Sequence, residues 1–167
     1  MIEIAPYDPS WPTRFDELAA TIRTVLGTRV VALEHVGSTA VEGLAAKDVI
    51  DIDLIVADPC DEADYAPALE AIGYVLTVRE PSFYQHRMFR LPSPRTNLHV
   101  FGPDCPEHIR HIMFRDWLRT HPEDRARYED TKRQAQPGRQ TVMDYNRSKG
   151  AVIADIYERI FAAAGFK

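Results

Sequence analysis

Two cysteines in 167 residues, Cys60 and Cys105, each beside a proline in an acidic stretch, leave nothing from which to build a disulfide framework. No apolar run approaches the roughly 20 residues that a membrane-crossing helix needs. The opening segment Met1 to Pro6 lacks the pattern of a signal peptide, which points to the cytosol. Lysine and arginine are outnumbered by aspartate and glutamate, 20 against 25, so general attraction to nucleic acid or to an anionic membrane is not expected. A local basic pocket is still compatible with that balance. There is no Walker-type glycine-rich loop, and no Ser-His-Asp or Cys-His arrangement has independent support, so P-loop kinase and hydrolase chemistries fall away. Internal repeats and low-complexity segments are also absent.

What is there is an ordinary globular composition, 45% hydrophobic and 27% charged, at a length that suits one domain with a substantial core. The informative stretch runs from Val30 to Val56. Val30 to Val36 reads as a buried strand, and Gly37 breaks it where the backbone must turn. A helix is expected to open at Thr39. Backbone N–H groups at a helix start lack intrahelical partners, so Ser38 and Thr39 are candidates to hold an anionic oxygen, and Gly37 lets that anion approach closely. Downstream, Ile50 to Val56 reads as a second buried strand. Side chains alternate along a strand, so Asp51 and Asp53 share a face, with Cα atoms roughly 6.5 to 7 Å apart. Two carboxylates so spaced can lean over a hard cation, and magnesium suits oxygen ligands completed by water and phosphate. Lys47 lies just upstream as a point charge for phosphate. The plain alternative is that both acids decorate an exposed strand face, but two like charges on a buried strand are costly without a cation.

The run from His35 to Ile52 (HVGSTAVEGLAAKDVIDI) resembles the signature block of the GrpB family, which is placed in the nucleotidyltransferase superfamily. Further similarity lies in Tyr7 to Trp11 with Phe15, in Asn97 to Val100, in Phe114 to Arg119, and in Tyr145 and Lys149. The resemblance implies an α/β (α+β) fold, nucleotidyltransferase-like, with a small mixed sheet flanked by helices. It also implies a tie to coenzyme A biosynthesis, since a similar domain is fused behind dephospho-CoA kinases in some bacteria. Two departures stand out: Glu42 and Asp48 replace prolines usual in the family, each adding a negative charge near the supposed phosphate pocket. His99 occupies the position where superfamily enzymes commonly place a third carboxylate. An imidazole favours zinc, manganese or iron over magnesium. His99 is therefore a metal ligand for a different ion, or a proton acceptor for an attacking hydroxyl, or a mark of lost catalysis.

Along the rest of the chain, Trp11, Phe15, Leu18, Ala19, Ile22, Val25 and Leu26 form one helical stripe ended by Gly27, with Pro9 in the opening turn. A helix through Ala66, Leu69 and Ile72 stops at Gly73. Tyr74 to Val78 and Tyr84 to Leu91 form a hairpin, and Asn97 to Phe101 a short strand that delivers His99. Arg87 would then meet substrate phosphate, as the resemblance suggests, or simply pair with Glu80. Residues 1–102 read as a mixed α/β part and 103–167 as a helical part of the same domain. The helical part holds segments from Glu107 to Thr120, from Pro122 to Gln136 with a stop at Pro137-Gly138, and from about Val142 through Phe161. Lys132, Arg133, Arg147 and Lys149 are candidate phosphate contacts from the helical part, against the default of charges on exposed helix faces, and the resemblance sets Lys149 and Arg115 above the others. Cys105, His108 and His111 invite a zinc reading, but the spacing drifts around a helix, so solvated histidines are expected.

These readings combine into an expected activity: transfer of a nucleotidyl group from a nucleoside triphosphate to a small acceptor. Asp51, Asp53 and His99 would be the catalytic and metal-binding residues. Magnesium or manganese is the expected ion, with zinc as an alternative. Gly37, Ser38, Thr39, Lys47, Arg87, Arg115 and Lys149 would hold the nucleotide and its phosphates. The alternative is a module without catalysis that binds a nucleotide or CoA precursor, or assists a partner's folding. Neither nucleic acid nor membrane is an expected partner.

Overall fold

The first helix shows how local sequence chooses the architecture. Trp11, Leu18, Ala19, Ile22 and Leu26 recur at helical spacing, and all five are buried in α1 (Trp11–Leu26). Of the two possible caps, Asp8 and Ser10, it is Ser10 that precedes the helix, so Pro12 rather than Pro9 lies in its first turn, and Asp8 Oδ1 accepts the Ser10 N–H at 2.8 Å. In this computed structural model, which describes residues 3–134 and 142–165, the remaining elements are β1 (Ala32–Val36), β2 (Ile50–Ile55), α2 (Glu62–Ala71), β3 (Val75–Glu80), β4 (His86–Leu91), β5 (Thr96–Phe101), α3 (Pro106–Thr120), α4 (Pro122–Gln134) and α5 (Val142–Ala163). The expected stop at Pro137-Gly138 and the side chain of Tyr145 lie outside what is described. None of the described helices is long and apolar enough to cross a membrane.

Five strands form one mixed sheet in the order β1-β2-β5-β4-β3. Only the central pair, β2 and β5, is parallel. Register then sorts the side chains onto two faces, because residues directly opposite on neighbouring strands point the same way. Leu33 faces Leu54, Ile52 faces Leu98, and Phe89 faces Leu98. With Trp11, Ile22, Tyr65 and Leu69 from α1 and α2 they form the main core. Val36 faces Asp51, Asp51 faces Asn97, and Asp53 faces His99, so the polar set lies on the other side, toward the C-terminal helices. Those helices build a second, smaller core, where Leu118, Tyr128, Ile156 and Ile160 pack on Val41 and Leu44.

The β3–β4 hairpin departs from expectation at its turn. Tyr84 and Gln85 both adopt positive φ, 53° and 55°, which ends the turn and delays β4 to His86. Leu98 is fully buried at the centre of the sheet. Leu98→Ala is expected to lower unfolding free energy by about 2–5 kcal/mol, since the cavity left behind adds to the lost burial; urea denaturation measures it.

Candidate functional site

Gly37 leaves β1 with φ 74°, and a Cβ added there would sit 2.7 Å from Asp51 Oδ2. Only glycine brings the turn this close to the carboxylate. The helix expected at Thr39 is instead one 3-10 turn, Ser38–Ala40, with Ala40 N–H donating to Gly37 O and Val41 N–H to Ser38 O. Such a turn has no macrodipole to offer an anion. Thr39 Oγ1 is committed: it donates to Val49 O at 3.1 Å and so accepts from His35 Nε2 at 2.9 Å. That makes His35 a neutral Nε2–H imidazole, stacked on Phe15, that fixes the turn. Burial drives its pKa down to about 4, against an opposing pull from Asp51.

The positive charge comes from lysines rather than from a helix end. Lys132 is buried, and its Nζ donates to Ser38 Oγ at 3.0 Å and to Ala45 O at 2.7 Å, 4.8 Å from the Tyr128 ring centroid. Burial, and then the charges of Lys149 and Lys47, push its pKa down to about 7. Lys47 is lowered in the same way, by burial first and by Lys149 next. An exposed face is the default for Lys132 because α4 is crowded with charge, and the structure instead buries it. A signal was present: Asp124, Tyr128 and Lys132 recur every four residues and are the buried stripe of that helix.

The two acids part company. Asp51 keeps 30% of its side chain exposed, accepts from Asn97 Nδ2 at 3.2 Å, and lies 3.8 Å from His99 Nε2. Asp53 is fully buried, and its Oδ2 accepts from His108 Nδ1 at 2.8 Å and from His111 Nδ1 at 2.7 Å. Burial alone would raise the Asp53 pKa, but these two hydrogen bonds outweigh it and hold the carboxyl below its usual range. The His111 pKa is raised in turn, because the Asp53 hydrogen bond and charge more than offset burial. The expectation of solvated histidines is therefore corrected: three residues apart on α3, both rings face the sheet. Cys105 takes no part, being buried with Ile55 and Phe101.

The expected metal cradle does not form in this arrangement. Asp53 Oδ2 is saturated, Oδ1 is sealed without a hydrogen-bond partner, and the residue does not line the cavity. Among the described residues no three His, Cys, Asp or Glu side chains are placed to hold one ion. Two expected phosphate contacts also lie elsewhere. Arg87 sits on the opposite sheet face, donating to Gln85 O at 2.7 Å and 3.9 Å from Glu62, because its register partner is Val100. Arg115 ties α3 to β1 through Glu34 Oε2 at 2.9 Å and His35 O at 3.0 Å. Of the family's two replaced prolines, Asp48 turns to α1, accepting from Trp11 Nε1 and Arg14 Nη1. Glu42 lines a separate, smaller cleft.

Gly37, Ser38, Thr39, Lys47, Asp51, His99 and Lys149 do converge, with Lys132 and His111, on one cavity of about 1380 Å³. Among the described residues six lysines and arginines line it against three aspartates and glutamates, in a chain whose net charge is −5. The cavity is thus a local reversal of the overall charge, suited to an anionic guest.

A family model described as GrpB protein matches residues 1–159. The chain belongs to the GrpB family. Similar members include a UPF0157 protein of Halalkalibacterium halodurans, 45% identical over 95% of this chain and 82% of that one. The chain is also 30% identical to a dephospho-CoA kinase of Mycolicibacterium paratuberculosis, over 81% of this chain and 40% of that enzyme. The crystal structure of GrpB from Enterococcus faecalis superposes with a TM-score of 0.84 at 30% identity, covering 97% of this chain and 99% of that one. A cytoplasmic RNA terminal U-transferase aligns with a TM-score of 0.52 at 14% identity, over 77% of this chain and 38% of that one. At that identity the likeness concerns the fold alone, which is of nucleotidyltransferase type.

The GrpB-family turn carries its own pH signature. His35 is depressed from 6.5 to about 4 in the fold, so as pH falls from 6.5 toward 4 the unfolded chain binds a proton that the native one refuses. Stability is expected to drop by about 3 kcal/mol across that interval on this group's account. His35→Gln keeps an N–H donor without a titration, so the difference between the two denaturation curves should follow that slope and be flat above pH 7.

Proposed function

We propose that this chain binds a nucleoside triphosphate, or a phosphorylated ligand of similar size, and transfers its nucleotidyl group to a small acceptor. The observation that carries the reading is the set of lysines, Lys47, Lys132 and Lys149, lining the same cavity as the Gly37-Ser38 turn and Asp51. Small-molecule sites commonly occupy about 300–1000 Å³. A volume of about 1380 Å³ accommodates a nucleotide and leaves room for a second substrate.

In this scheme Ser38 Oγ and the three lysines hold the phosphates, and the acceptor's hydroxyl or amine sits between Asp51 and His99. His99 Nε2 takes its proton, the freed electron pair forms a bond to the α-phosphorus, and the bond to pyrophosphate breaks on the opposite side. The lysines neutralise the charge that develops on the leaving group, and the rest is positioning. No step runs through a metal, because Asp53 is closed off by His108 and His111 rather than offered to a cation.

A second reading, a binding module without catalysis, is favoured by the same closure of Asp53 and by the kinship with part of the dephospho-CoA kinases. Both readings require an anionic ligand, so binding is the first test. Thermal shift against nucleoside triphosphates and CoA precursors should show stabilisation of about 2.7 kcal/mol at a hundredfold excess over Kd. Lys132→Met should weaken the ligand roughly 10- to 100-fold, the equivalent of one charged hydrogen bond. Its melting temperature without ligand should hold or rise, since a buried ammonium is costly. No stabilisation by any phosphorylated compound would end both readings; labelled nucleotide transfer separates them.

A further inference from the structure

Glu80, His86 and His99 form a continuous hydrogen-bonded chain from the surface to the cavity. Glu80 Oε1 lies 2.7 Å from His86 Nδ1, and His86 Nε2 lies 3.0 Å from His99 Nδ1. At the outer end, 47% of the Glu80 side chain is exposed. The middle member, His86, is buried and stacked on Phe101 with ring centroids 4.9 Å apart. At the inner end His99 lines the cavity, facing Asp51 from β2 and His111 from α3.

The capacity of each atom to donate or accept decides where the protons sit. A carboxylate only accepts, so the proton between Glu80 and His86 is on His86 Nδ1. Burial keeps the His86 pKa below that of a free imidazole although the Glu80 hydrogen bond pulls it up, so at neutral pH the ring carries one proton. Its Nε2 is then an acceptor, and the contact with His99 requires the proton on His99 Nδ1. In the Nδ1–H tautomer that this chain selects, Nε2 carries the lone pair, on the side of the ring that faces Asp51. Nε2 lies 3.8 Å from Asp51 Oδ1, too far for a direct hydrogen bond. The opposite order of protons would set two acceptors 2.7 Å apart at Glu80.

We infer that Glu80 and His86 are positioning residues that hold His99 in its Nδ1–H tautomer, so that Nε2 can take a proton from the acceptor substrate. The inference rests on the proposed transfer reaction for its purpose, though not for its geometry. As the acceptor's O–H or N–H bond breaks, the proton moves to His99 Nε2 and the electron pair to phosphorus. His99 Nδ1–H can then pass its proton to His86 Nε2, and His86 Nδ1–H its own to Glu80, which carries the positive charge away from the lysines.

The test is ¹⁵N-resolved NMR of the imidazoles at pH 7.5 in the full chain, in Glu80→Ala and in His86→Phe. Glu80→Ala removes an exposed group, and His86→Phe retains a ring against Phe101, so the fold should persist in both. Wild type should show His99 protonated at Nδ1, and the variants a mixture of tautomers. His99 protonated at Nε2 in wild type, or left unchanged by His86→Phe, would overturn the inference whether or not any nucleotide binds. With the transferred nucleotide identified, His86→Phe should lower kcat about 100-fold and Glu80→Ala about tenfold, with KM unchanged. A rise in KM at constant kcat would also overturn it.

Discussion

A carboxylate with no exposure to water, on a central strand of the sheet, must be compensated, and much of the C-terminal half is arranged by how this is done. Asp53 takes hydrogen bonds from two histidines of α3. Removing either partner would leave a buried charge short of donors, a change that typically costs several kcal/mol. The pairing therefore fixes the rotation of α3 over the sheet. Once α3 is set, Arg115 reaches Glu34 and the His35 carbonyl, and Arg119 donates to Ala40 O at 2.8 and 3.0 Å. The helix closes one wall of the cavity and secures the outer side of the Gly37-Ser38 turn.

The same logic runs with opposite sign at Lys132. An ammonium drawn into the interior is tolerable only where oxygens receive its protons, and Ser38 Oγ and Ala45 O do so. What they do not supply is a full countercharge, and Lys47 and Lys149 add repulsion, visible as a pKa lowered to about 7. Glu129 opposes the shift but spends a hydrogen bond on Ala45 N–H. Lys47, Lys132 and Lys149 thus lower one another's affinity for a proton, a repulsion that the proposed anionic ligand would relieve. Phosphate oxygens would relieve the repulsion and restore protonation at once, which links the energetics of the turn to ligand binding.

The fold was legible where periodicity carries information. The stripe of α1 faces the main core, and the apolar runs of β2 and β5 supply its central strands; such segments announce themselves by spacing. The glycine turn and Asp51 were legible because a glycine after an apolar strand marks a turn and alternation sets Asp51 opposite the core face, whereas the pairing of Asp53 with Asp51 was not, Asp53 being held by two histidines of α3. Lys132, His108 and His111 were not. Each is a polar residue on a helix whose exposed default is correct in most contexts, and each is turned inward by an oxygen atom supplied from another part of the chain, 94 residues away for Lys132 and Ser38. Arg87 failed for a related reason. Strand alternation puts it on the same face as Phe89, and Phe89 is core, so the arginine cannot also face the cavity.

The position of the cavity then follows from how the two parts of the chain are joined. Between the sheet and the C-terminal helices the apolar contact is modest, centred on Val41 and Leu44, while Asp53–His108, Asp53–His111, Glu34–Arg115 and Ser38–Lys132 are polar. Polar ties position elements without the close packing that would fill the space between them. A ligand seated there as proposed would touch the sheet through the Gly37-Ser38 turn and the helices through Lys132 and Lys149. On that proposal binding and the docking of the helices on the sheet are coupled, and an anion held in this cavity should stabilise the seam between the two parts more than either part alone.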